Sequence, residues 1–168
     1  MDNPYDMSVE ARLERLERRP FGITETTGLT VASNPHKFHV YRNAALTSSN
    51  VITKVNFDTK LFDDSDEFDL TNDRFVATVA GYYYFSGTAG NSAASGTPIF
   101  AFLYKNGALV RHGSGNASAT GVQSVVSGLF YMIPGDYMEL FFVGGSGSTM
   151  RVTLGQCDFE GFLLSGEQ

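Results

Sequence analysis

The sequence predicts an all-β sandwich or jelly roll preceded by one short N-terminal α-helix. From about residue 36 the chain breaks into short apolar runs rich in aromatic and β-branched residues. Turn chemistry separates those runs, with Asn106-Gly107, Pro134-Gly135-Asp136 and the Gly144–Ser148 stretch as the clearest breaks. No helical periodicity follows Pro20, which leaves strands as the way to bury these runs.

The first element is the exception. Ser8 suits an N-cap, Glu10 sits in the first turn where the helix dipole favours an anion, and Pro20 closes the segment after Arg18 and Arg19. Val9, Leu13 and Leu16 form its only apolar stripe, with coiled-coil spacing. A helix this short is marginal alone, so residues 1–20 are expected to attach the chain, either to another protein or in a bundle of its own copies. Residues 21–35 read as a linker and 36–165 as the head.

Strands are expected at 37–42, 51–57, 74–79, 82–87, 99–105, 122–132, 137–143, 150–154 and 157–164. The run "AGYYYFSGTAG" is the most informative, because successive side chains of a strand point to opposite faces: Tyr82 and Tyr84 look one way, Tyr83 and Phe85 the other. A lone sandwich should be polar outside, yet "IFAFLY" and "YYYF" are apolar on both sides. Some outward faces therefore need a cover, and another copy of the chain is the simplest one.

The succession "RFVATVAGYYYFSG", "LYKNGALV", "SGLFYMIPGDYMELFF" and "CDFEGFLL" resembles the globular head of complement component 1q, within the tumour necrosis factor-like superfamily. The resemblance covers roughly residues 36–164 and implies a ten-stranded jelly roll that assembles as a homotrimer around an aromatic-lined axis. It places Tyr83 and Phe85 in the core, with Met138, Leu140 and Phe142. It places Tyr82, Tyr84, Phe141 and Phe159 at the trimer interface. No collagenous Gly-X-Y stalk or apolar signal core is present, so complement or cytokine activity is not carried over.

Composition narrows the chemistry. The 168 residues carry a formal charge of −6, with scattered Lys and Arg, against a nucleic-acid partner. No run approaches the ~20 apolar residues needed to cross a bilayer as a helix, against membrane insertion. Cys157 stands alone and suits a buried apolar position. No Gly-x-Ser-x-Gly elbow or phosphate loop occurs. His36 and His39, three apart on a strand, face opposite ways and do not share a metal. No cofactor is expected. The run Asp63, Asp64, Asp66 is a weak calcium candidate, since that hard cation wants clustered oxygens, but the glycine of an EF-hand loop is missing. Glu139 with Asp136 or Glu160 would be the only strand-borne carboxylates for a polysaccharide-active enzyme. Asn116-Ala117-Ser118 reads as loop chemistry.

A non-enzymatic trimeric head on a short attachment segment suits a bacteriophage virion surface protein, assembled in the host cytoplasm. It would be a capsid decoration spike or a short receptor-binding fibre head, held to other virion proteins by its N-terminal segment. The alternative is a bacterial surface or spore-coat binding module. Asn91, Ser92, Ser95 and Thr97 form the candidate tip loop, where small polar groups suit a host-surface glycan. If strands alternate in direction, turns 90–98, 133–136 and 154–157 lie at the far tip, with 112–121 and 144–149 facing the attachment end.

Overall fold

In a computed structural model, which describes residues 34–46, 50–91, 98–113, 115, 122–144, 149–151 and 154–166, eleven strands form two antiparallel sheets. The first runs in the order β3 (Thr59–Asp63), β1 (Lys37–Tyr41), β11 (Cys157–Gly166), β6 (Gly81–Asn91), β9 (Val122–Met132). The second runs β4 (Phe68–Asp69), β5 (Arg74–Val76), β10 (Tyr137–Val143), β7 (Phe100–Lys105), β8 (Ala108–His112), with β2 (Thr53–Lys54) also paired to β10. The span Ser33–Gln168 is a compact unit in itself. The expected N-terminal helix and most of the linker lie outside the described residues. Within the described part of the linker, Asn34 Nδ2 already donates to Leu163 O at 2.5 Å.

Alternation along the strands builds the core. Gly81, Tyr83, Phe85, Gly87 and Ala89 of β6 are buried, whereas Tyr82 and Tyr84 are exposed. Met138, Leu140 and Phe142 of β10 meet them from the other sheet, all buried. Rings dominate the space between: Phe38 stacks on Phe75 at 4.9 Å and meets Phe159 edge-on at 5.1 Å. Offset and edge contacts of this kind add to the area that each ring buries. Gly87 is required by that closeness, because a Cβ there would overlap the Leu140 methyl groups of the facing sheet.

The Asn106-Gly107 signal forms the β7–β8 hairpin, with φ of 52° and 77° at its two central residues, the combination a type I′ turn demands. Three strands carried no sequence signal. Every residue of β8 is exposed, so it shows no in–out alternation. The acidic stretch around Asp63 hides β3 and β4, which are held by polar rather than apolar contacts. Asp63 shows how: its carboxylate accepts from the N–H groups of Glu67 and Phe68, each at 3.0 Å. Conversely, the run expected as a strand at 150–154 contributes one described bridge, between Met150 and Asn91.

Register corrects the expected loop placement. Lys37 pairs with Phe162 and Tyr41 with Asp158, so the start of β1 lies beside the start of β6 and the end of β11. Gly81 pairs with Met132, which puts the 133–136 turn at the same end as Asn34 rather than at the far tip. Asn91 pairs with Val122, and Phe100 with Val143. The residues flanking 92–97, 114–121 and 145–148 therefore all lie at the end away from Asn34. The expectation treated loops as alternating in simple succession; the pairing of β6 with β9, across two intervening strands of the other sheet, breaks that count.

Candidate assembly interface

The outer face of the five-stranded sheet is built from the alternate positions of its strands. β6 supplies Tyr82, Tyr84, Ser86 and Thr88; β11 supplies Asp158, Glu160 and Phe162; β9 supplies Leu129 and Tyr131; β1 and β3 supply His39 and Phe62. The half nearer Asn34 is apolar and wet in the single chain, with Tyr82 49%, Leu129 48% and Phe162 42% exposed. Its rings already pair: Tyr82 with Tyr131 at 5.3 Å and Tyr84 with Phe162 at 5.7 Å. Beside them lies a depression of about 340 Å³ lined by Phe62, Tyr84, Glu160 and Phe162, floored by Gly161 and Phe38. A Cβ at Gly161 would press on Phe85, Phe38 and the Tyr84 carbonyl, so that floor must be glycine.

The other half of the face is polar. His39 Nε2 lies 3.3 Å from Asp158 Oδ2, and its Nδ1 lies 3.7 Å from Glu160 Oε2. This face contains no nucleophile aligned with a base, and its use is adhesive rather than chemical.

Two of the residues expected at the trimer interface lie elsewhere. Phe159 is fully buried against Phe38, Phe57, Phe68 and Phe85 in the core, where no neighbouring copy can reach it. Phe141 belongs to β10 in the other sheet and packs against Tyr104 at 4.3 Å, on the opposite side of the sandwich from Tyr82 and Tyr84. Phe162, Leu129 and Phe62, absent from the expected interface, occupy the face instead. Strand parity contained the signal for β11: Cys157 and Phe159 share a side, so burying the cysteine buries Phe159 and turns Phe162 outward.

Other expected sites are also placed. Asn91 is a buried strand residue rather than a tip residue, paired with Val122 and Met150. Ser92, Ser95 and Thr97 lie outside the described residues, as do Val9, Leu13 and Leu16. The calcium candidates are engaged already: Lys60 Nζ bridges Asp63 Oδ2 at 2.6 Å and Asp66 Oδ1 at 2.8 Å, and Asp64 pairs with Lys37 at 3.1 Å. Among the described residues no group of three His, Cys, Asp or Glu side chains is arranged to hold a metal. His36 bonds Glu67 at 3.0 Å, apart from His39.

The candidate catalytic carboxylates do not converge. Glu139 is ion-paired with Lys54 at 2.6 Å on β10, whereas Glu160 is on the other sheet. Burial pushes the Asp136 carboxyl up, but Lys105, Asn106 and the Ile133 N–H outweigh it and hold the group below the usual carboxylate range. That is the reverse of what a general acid needs. Cys157 is inert for a related reason. Burial, with the Asp158 charge beside it, pushes the thiol up to about 12. A thiol reagent at pH 8 should leave the native protein unlabelled and label it fully in denaturant; rapid native labelling would show that β11 opens at Cys157.

A C1q domain model matches residues 37–164. The chain belongs to the C1q family. Solved structures agree on the fold. The globular domain of zebrafish complement 1qA protein is 19% identical, with a TM-score of 0.61 over 79% of this chain and 99% of that one. Murine APRIL at pH 5.0 is 10% identical, with a TM-score of 0.61 over 77% and 98%. The Eiger TNF of S. frugiperda is 9% identical, with a TM-score of 0.60 over 81% and 96%. No curated protein matches the sequence. Identities this low speak for the jelly roll alone, so the function of this C1q head rests on its own surfaces.

Proposed function

We propose that this chain is the homotrimeric, non-enzymatic head of a virion surface protein, a capsid decoration spike or a short fibre head that its N-terminal segment fastens to the particle. The observation that carries the assembly is the exposed apolar half of the five-stranded sheet, where Tyr82, Tyr84, Leu129 and Phe162 would otherwise stay in water. Apolar patches of this kind mark protein contacts, and the family resemblance supports three copies as the number. The attachment role is supported by the Val9, Leu13, Leu16 stripe, which is separate from the strand pattern. Glycan recognition would fall to the end away from Asn34, where the strands flanking Ser92, Ser95 and Thr97 terminate.

Deleting residues 1–20 tests the attachment. The truncated head should remain folded and trimeric by circular dichroism and sedimentation, yet be missing from purified particles when it replaces the full chain. Loss of folding would move the domain boundary into the first twenty residues. Recovery of the full chain from a bacterial envelope or spore coat, and not from particles, would replace the virion assignment with a cellular binding module.

A further inference from the structure

A trimer cannot be closed by one face meeting itself: threefold symmetry needs a head-to-tail contact between two different patches. The face described above therefore requires a complement elsewhere on the C1q head. The complement must expose apolar groups and oppose the half-exposed carboxylate of Glu160, whose described partner is His39 at 3.7 Å. The edge where β8 meets β9 has both properties. Leu109 and Val110 on β8 and Leu129 on β9 are exposed there. Between them Arg111 is exposed, its guanidinium 6.0 Å from the Phe130 ring centre, and it forms no ion pair among the described residues.

Height along the strands matches the two charges. Arg111 Nε lies 3.2 Å from the point that a Gly128 Cβ would occupy. Gly128 pairs with Phe85, and Phe85 with Gly161, the neighbour of Glu160. Arg111 and Glu160 thus stand within about one residue rise, ~3.4 Å, of the same level. Rotation about an axis parallel to the strands preserves that level, so each Arg111 would be carried toward the Glu160 of the next copy. We propose that the β8–β9 edge of one C1q head docks on the five-stranded face of the next, with Arg111 paired to Glu160 across each of the three contacts. The pairing rests on the trimeric reading and specifies which surface covers the face.

Charge reversal tests it on the full chain. Arg111→Glu and Glu160→Arg, made singly, should each raise the trimer dissociation concentration by roughly tenfold or more, the scale of a close interfacial charge pair. The double variant should recover most of the loss. Both side chains are exposed, so circular dichroism and thermal melting should show each variant folded. Wild-type trimers whose dissociation is unmoved by either single change would overturn the pairing and leave the trimer standing. A wild-type chain that sediments as a monomer at every concentration would overturn the trimer and the pairing together. Weakening by both single changes with no recovery in the double would place the two residues at separate contacts and also overturn the pairing.

Discussion

Replacing Phe159 with alanine should lower the stability of the head by about 3–5 kcal/mol, the usual cost of emptying a buried aromatic site. The ring is fully buried and touches four others: Phe38 at 5.1 Å, Phe85 at 5.9 Å, and Phe57 and Phe68 at 6.1 Å each. Those neighbours come from β1, β6, the segment after β2, and β4, so no single side chain can swing in to refill the space. Urea unfolding followed by fluorescence should show a lower midpoint with little change in slope. The sequence-based placement of Phe159 at the trimer axis makes a different forecast, a loss that depends on protein concentration. A variant that unfolds normally but dissociates would restore that placement and count against the core described here.

Tyr84→Asp should convert the trimer to monomer without unfolding the head. Tyr84 is 37% exposed in the single chain and sits against Phe162 beside the apolar depression, so aspartate is well solvated until a neighbour covers it. Burying that carboxylate without a partner costs several kcal/mol, on the order of the penalty for any desolvated ion, and the cost is repeated in each of three contacts. Sedimentation should report a folded monomer at concentrations where the wild type is trimeric. Phe141→Thr is the matched control: it removes an aromatic ring from the opposite side of the sandwich and should leave the trimer intact. A stable Tyr84→Asp trimer would remove the five-stranded face from the interface, and dissociation by Phe141→Thr would move the interface to the other sheet.

The strands that could be read from the residues were those with an inward and an outward side. In β6 and β10 every second residue is large and apolar, and burial follows that alternation at Tyr83, Phe85, Met138, Leu140 and Phe142. β8 escaped because all five of its residues are exposed. β3 and β4 escaped because their acidic neighbours read as a solvated loop, whereas Asp63 is a capping group that two backbone N–H groups and Lys60 satisfy. Half of the expected interface was legible for the same reason. Parity turned Tyr82 and Tyr84 outward, but parity cannot say which sheet a strand joins, and Phe141 went to the wrong side of the sandwich on that account.

By itself the sequence determined the all-β class, the in–out assignment within β6 and β10, the hairpin at Asn106-Gly107 and the burial of Cys157. Each depends on residues close together in the chain, where strand periodicity and turn conformation act directly. The tertiary structure alone decided that β11 lies between β1 and β6, that Phe162 rather than Phe159 faces outward beside Tyr84, and that the 133–136 turn shares an end with Asn34. Those outcomes depend on pairings between residues tens of positions apart, such as Tyr84 with Phe162 and Gly81 with Met132. Such pairings are selected by how two whole sheets close over one aromatic core, and no local run of residues contains that information.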